Sequence, residues 1–123
     1  MKIIFVFGGS GYISYFLINR LIELNLFDKF IIYDITPPKY FNILPSNVEY
    51  ISCDVRNEIQ LYKESIDVEK SWIFNLAAIH REPGHDQKEY FDTNIKGVKN
   101  INDFAEKLKI FFSLVALLHM ENR

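Results

Sequence analysis

The sequence predicts an α/β fold: a doubly wound parallel sheet in a three-layer sandwich, truncated after about the fifth strand. Three observations predict it. Short β-prone runs alternate with segments of helical period. The runs are continuously apolar, as in strands buried on both faces. Strands separated by helices need crossovers, and crossovers build parallel sheets.

Each element then follows in order. Ile3-Ile4-Phe5-Val6-Phe7 is the first strand, ending at Gly8-Gly9. From Tyr12 to Leu24, the apolar residues Ile13, Phe16, Leu17, Leu21 and Leu24 recur at three and four, which marks an amphipathic helix. Phe30-Ile31-Ile32-Tyr33 is the second strand, closed by Asp34. Thr36-Pro37-Pro38 forces a loop, because proline neither pairs nor continues a helix. Val48 to Ser52 is the third strand, stopped by Asp54, and Asn57 to Ile66 reads as a short helix capped by Asn57. Trp72 to Leu76 is the fourth strand, and His80 to His85 is a polar loop containing Pro83-Gly84. Asp86 to Leu108 is a long helix interrupted by Gly97, and Ile110-Phe111-Phe112 is the fifth strand.

Composition narrows the function classes. A chain of 123 residues with 49% hydrophobic residues suits one domain with a filled core. Fourteen basic against 16 acidic residues leave no basic field of the kind that grips nucleic acid, so no nucleic-acid partner is expected. The single Cys53 excludes an intramolecular disulfide and a multi-thiolate metal site, and suits the reducing cytoplasm. The apolar runs Ile3–Phe7 and Ile110–Leu118 are too short to span a membrane, so no membrane partner is expected. His80, His85 and His119 lack the helical H-x-x-x-H spacing, so no metal ligands are assigned.

The strongest local signal is VFGGSGYIS, residues 6–14, directly after the first strand. Gly8 supplies the tight turn and Gly11 lets backbone approach a pyrophosphate without a Cβ clash. The amides and dipole at the helix start favour the anion. Ser14 stands at the third, packing position, where a slightly looser fit is expected. Asp34 lies about 20 residues further on, where an acid hydrogen-bonds a ribose 2′-hydroxyl and repels a 2′-phosphate, so NAD is favoured over NADP. Asp54, in CDVRN, falls beside the expected adenine position. Each feature also has a plainer reading: a glycine turn that binds nothing, a solvated acid opening the proline turn, a capping acid.

Together VFGGSGYIS, Asp34, CDV at 53–55, NLAA at 75–78 and TNIKGVKN at 93–100 resemble extended short-chain dehydrogenases/reductases. More narrowly they resemble the NAD-dependent epimerase/dehydratase group acting on nucleotide sugars. NLAAIHREPGHDQKEYFDTN resembles members from bacterial surface-polysaccharide pathways. The resemblance covers roughly residues 1–112 and implies a Rossmann-type NAD-binding domain with a nucleotide-sugar substrate in the full-length family. It implies that Gly8, Gly11, Tyr12 and Ile13 form the pyrophosphate turn, that Asp34 holds the adenosine ribose, and that Asp54 and Val55 touch adenine. Leu76, Ala77 and Ala78 would run along the cofactor toward the nicotinamide. Asn94 matches an asparagine that supports the family's active-site backbone.

The same resemblance implies a catalytic Ser or Thr and a Tyr-x-x-x-Lys beyond the fifth strand. None of the seven tyrosines has Lys at that spacing, so no catalytic residue is assigned. From Ser113 the chain reads SLVALLHMENR, where the family continues with something like Thr-Ser-Ser-x-Ala-Pro-Tyr-Gly. Read two nucleotides later, permitted codons restore that pattern, with Gly forced by Met120-Glu121. A frameshifted or truncated gene is therefore expected, with residues 113–123 an atypical tail. Leu114, Val115, Leu117 and Leu118 would then form an exposed apolar strip. A homodimer, or non-specific self-association through an open sheet edge, is the expected assembly. A non-catalytic NAD(P)-binding or regulatory module, and a non-functional remnant, stand as alternatives.

Overall fold

The computed structural model describes residues 1–77, 87–110 and 113–115. Its elements are β1 (Ile3–Phe7), α1 (Tyr12–Leu24), β2 (Lys29–Asp34), β3 (Val48–Ser52), β4 (Trp72–Asn75), α2 (Gln87–Leu108) and β5 (Ser113–Val115). The strands form one parallel sheet in the order β3-β2-β1-β4-β5. This is the Rossmann-type, doubly wound arrangement that the alternating runs predict.

The absence of polar alternation in β1 and β2 has a direct cause. Ile4, Val6, Phe30, Ile32 and Val48 face one way and pack with Ile18 of α1. Ile3, Phe5, Phe7, Ile31, Tyr33 and Ile73 face the other and pack with Ile101, Phe104 and Ala105 of α2. Two cores thus sandwich the sheet, and every residue of β1 is buried.

Two expectations need correction. Residues 57–66 do not form a helix; they run as bends and coil. Ten residues are marginal as a helix without tertiary support, and this segment is instead pinned point by point. Ile59 is buried in the α2-side core, the Met1 amino group donates to the Ser65 carbonyl at 3.4 Å, and the Asp67 amide donates to the Met1 carbonyl at 2.8 Å.

The fifth strand is also displaced, from residues 110–112 to 113–115. Helix α2 ends with Lys109 at φ +62°, the Lys109 amide donating to the Glu106 carbonyl and the Ile110 amide to the Ala105 carbonyl. That is a Schellman stop, in which the residue after the left-handed one packs back on the helix. Ile110 fills this role and is buried beside Ala105. The strand starts only afterwards, with Ser113, Leu114 and Val115 paired to Ile73, Phe74 and Asn75. The first three residues of the expected atypical tail are therefore part of the sheet. Phe111, Phe112 and residues 116–123 lie outside the described residues, as do Ala78, His80, His85 and His119.

Candidate functional site

Parallel pairing brings the carboxyl ends of β1, β2 and β4 to one side. Phe7 stands beside Tyr33 in one ladder and beside Asn75 in the other. The chain leaving β1 must turn at once into α1, and the turn is crowded. Gly8 has φ +74°, and a Cβ there would sit 2.6 Å from the Leu76 carbonyl carbon and the Ala77 amide nitrogen. The Gly8 amide donates to the Tyr33 carbonyl at 2.8 Å. The close approach of Leu76 and Ala77 is fixed in turn: the Leu76 amide donates to the Phe7 carbonyl at 2.7 Å, and the Ala77 amide to Oδ1 of buried Asn75 at 3.0 Å.

Gly11 behaves differently. It is the N-cap of α1, has no side chain to cap the helix, and a Cβ there would meet nothing within 4 Å. Tyr12 and Ile13 follow on the exposed first turn. Helix geometry leaves their amides without intrahelical acceptors. The result is an open, amide-lined place suited to an anion.

Asp34, at the end of β2, faces this turn. Its Oδ2 accepts the Ser10 amide at 3.0 Å and its Oδ1 the Thr36 amide at 3.3 Å. Ser10 Oγ donates to the Thr36 carbonyl at 2.6 Å and closes the ring. The carboxylate is thereby aimed before any ligand arrives, and each oxygen retains a lone pair for a hydroxyl donor.

Asp54 is tied to its neighbour. Arg56 Nη2 lies 2.6 Å from Oδ2 and Arg56 Nε 3.0 Å from Oδ1, and the Arg56 amide donates to Oδ1 at 3.0 Å. These bonds hold the Asp54 carboxyl below the usual carboxylate range. Val55 is anchored by α2. Asn100 Nδ2 donates to the Val55 carbonyl at 2.8 Å, and a Cβ on Gly97 would come 3.0 Å from Val55 Cγ2. The glycine that interrupts the α2 pattern is therefore where the loop after β3 packs on the helix. Asn94 is half-buried on the same helix.

The structure thus gathers Gly8, Gly11, Tyr12, Ile13, Asp34, Leu76 and Ala77 around one end of the sheet. Asp54 and Val55 flank it, joined to β2 by the Cys53 amide donating to the Asp34 carbonyl at 2.9 Å. Sequence reasoning missed Gly9, Ser10, Asn75 and Asn100. Gly9 is sterically compelled, since its Cβ would lie 2.8 Å from Ile32 Cγ2 and 2.9 Å from the Val6 carbonyl oxygen. The doubled glycine was the available signal. Nothing local marks Ser10 or Asn100, because their partners are distant in the chain, whereas Asn75 accepts from the Ala77 amide two residues on.

The sequence profile of the 3-beta hydroxysteroid dehydrogenase/isomerase family matches residues 5–115. The chain belongs to that family. Membership in the 3-beta hydroxysteroid dehydrogenase/isomerase family bears out the extended short-chain dehydrogenase/reductase resemblance. Solved structures with this fold include Pen from Bacillus thuringiensis, with TM-score 0.71 and 19% identity over 93% of this chain and 38% of that one. A UDP-galactose 4-epimerase superposes with TM-score 0.68 and 17% identity over 93% of this chain and 37% of that one. The Bordetella bronchiseptica enzyme WbmG in complex with NAD and UDP does so with TM-score 0.66 and 19% identity, over 91% of this chain and 36% of that one. The chain therefore spans well under half the length of these structures, and at such identities the likeness is one of fold. No curated protein matches the chain. Among the described residues, no helix is long and apolar enough to cross a membrane.

Proposed function

We propose that this chain is the NAD-binding amino-terminal part of a nucleotide-sugar epimerase/dehydratase-like oxidoreductase of bacterial surface-polysaccharide biosynthesis. One observation carries the reading. The register of β1 and β2 sets the Asp34 carboxylate against the turn that opens α1, 3.0 Å from the Ser10 amide. An anion site and a hydroxyl-accepting carboxylate, a few residues apart in space, match the diphosphate and ribose of a dinucleotide.

The residues fit the group. Open space at Gly11 leaves room for a pyrophosphate against the amides of Tyr12 and Ile13. Asp34 would hold the adenosine ribose diol, Asp54 and Val55 the adenine side, and Leu76 and Ala77, with Ala78 after them, the path toward the nicotinamide. Bound NAD would supply a hydride acceptor for a sugar carbon. NAD and UDP in the WbmG complex support this cofactor and a nucleotide-sugar partner. The thiol of Cys53 supports a cytoplasmic setting.

Calorimetric titration with NAD and NADP tests the reading. NAD should bind and NADP should bind more weakly. Asp34→Ala should cost NAD about ten-fold or more and narrow the gap between the two, since a charged hydrogen bond is lost and a repulsion removed. Failure of NAD to bind, or equal loss of both cofactors in the variant, overturns it. A second reading, a module that binds NAD without reacting, uses the same turn and the same carboxylate. Turnover with NAD and a UDP-sugar would exclude that second reading.

A further inference from the structure

We propose that Tyr50, on β3, is a positioning residue that sets the preference for NAD over NADP by fixing the loop that follows Asp34. The inference rests on the cofactor reading above. It assigns part of the selectivity to a side chain 16 residues from Asp34 in the chain.

The loop after β2 has little packing to hold it. Ile35 is 62% exposed and Thr36 is exposed, and Pro37 and Pro38 have no amide hydrogen to donate. Side-chain hydroxyls hold its main chain instead. Tyr50 Oη lies 3.0 Å from the Asp34 carbonyl oxygen and 3.3 Å from that of Ile35, and donates to this pair. Ser10 Oγ donates to the next carbonyl, that of Thr36, at 2.6 Å. Three successive carbonyls are thus gripped from two distant segments.

Tyrosine suits the first of these contacts by its length. Tyr50 pairs with Ile32 in the ladder, two residues short of Asp34. Two residues of strand span about 6.6 Å, a gap that a tyrosine hydroxyl reaches and a serine or threonine hydroxyl does not. The ring packs against the α1-side core, which fixes its direction.

The effect on Asp34 follows from the planarity of the peptide unit. The Ile35 carbonyl and the Thr36 amide share one plane and point opposite ways. Holding that carbonyl toward Tyr50 aims the Thr36 amide at Asp34 Oδ1, 3.3 Å away. The Ser10 amide holds Oδ2 at 3.0 Å. A carboxylate gripped through both oxygens resists turning aside. A ribose 2′-hydroxyl gains from meeting a fixed acceptor. A 2′-phosphate loses, because the fixed carboxylate does not swing into solvent to relieve the repulsion. Loosening the loop therefore weakens NAD and relieves NADP, whereas a general loss of stability weakens both.

Tyr50→Phe tests this, since it keeps the ring in the core and removes only the hydroxyl. The ratio of NADP to NAD dissociation constants, from calorimetric titration, should fall about two- to ten-fold, as expected for one neutral hydrogen bond. Ser10→Ala releases the loop from its other side and should lower the ratio likewise. In an Asp34→Ala background, Tyr50→Phe should leave the ratio unchanged, because Tyr50 acts through that carboxylate. Amide hydrogen exchange needs no cofactor: Tyr50→Phe should speed exchange at Thr36 several-fold more than in β1. The proposal is overturned if Tyr50→Phe weakens both cofactors equally, keeps the parental ratio or keeps the parental Thr36 exchange. A further fall of the ratio in the Asp34→Ala background overturns it too. A parent chain that binds neither cofactor overturns the cofactor reading and this assignment with it. Failure of the clamp alone is told apart because parental NAD binding is then intact.

Discussion

Gly9 and Gly11 share one turn for opposite reasons. Gly9 is glycine because its own fold leaves no room: backbone at Val6 and the side chain of Ile32 crowd its missing Cβ. Gly11 is glycine where the fold leaves space unused. Gly9→Ala should therefore cost about 1–3 kcal/mol in a denaturant melt. Gly11→Ala should cost at most about 1 kcal/mol, the difference between Gly and Ala at an N-cap, while weakening NAD in titration. Equal stability losses would refute the distinction. Ser14 offers a second contrast. It occupies the third motif position at 1% exposure, and its hydroxyl finds no hydrogen-bond partner among the described residues. Ser14→Ala keeps the Cβ, removes a desolvated polar atom and gains helix propensity. Its thermal midpoint should rise, and a fall would show that the hydroxyl is satisfied by ordered water.

At the level of elements, β1, α1, β2, β3, β4 and α2 were legible almost to the residue. Their signals are local: apolar runs, three-and-four periodicity, a proline loop. The candidate site positions could be placed for the same reason, since Gly8 and Asp34 sit at strand ends and Gly11 at the start of α1. The two failures came where distant contacts outvoted local pattern. Residues 57–66 carry a cap and some periodicity, but contacts with Met1 and the α2-side core hold them as irregular coil. The apolar Ile110 looked like strand and serves instead to stop a helix. The loop after β3 carries a testable electrostatic consequence. Arg56 depresses the folded pKa of Asp54, so this pair stabilises the fold above the ordinary carboxylate pKa and ceases to do so as pH falls through the depressed value. The stability gap between the parent and Arg56→Ala, read from urea midpoints, should be widest near pH 7. It should shrink below about pH 4. A gap that grows on acidification would contradict the assignment.

The described residues form one sheet between two cores, with β3 and β5 as its edges. Edge strands offer unpaired amides and carbonyls to other chains unless something blunts them. Size-exclusion chromatography should accordingly show elution that shifts earlier with rising concentration, and concentration-independent elution would refute edge association. Central β1 has a further consequence, one of timing. It leaves the ribosome before either of the strands that flank it, yet those two neighbours arrive far apart. Tyr33 can flank Phe7 early, whereas Asn75, on the other side of Phe7, is made 68 residues after it. During synthesis the most apolar strand therefore waits with one flank bare, a natural target for a chaperone that shields nascent chains.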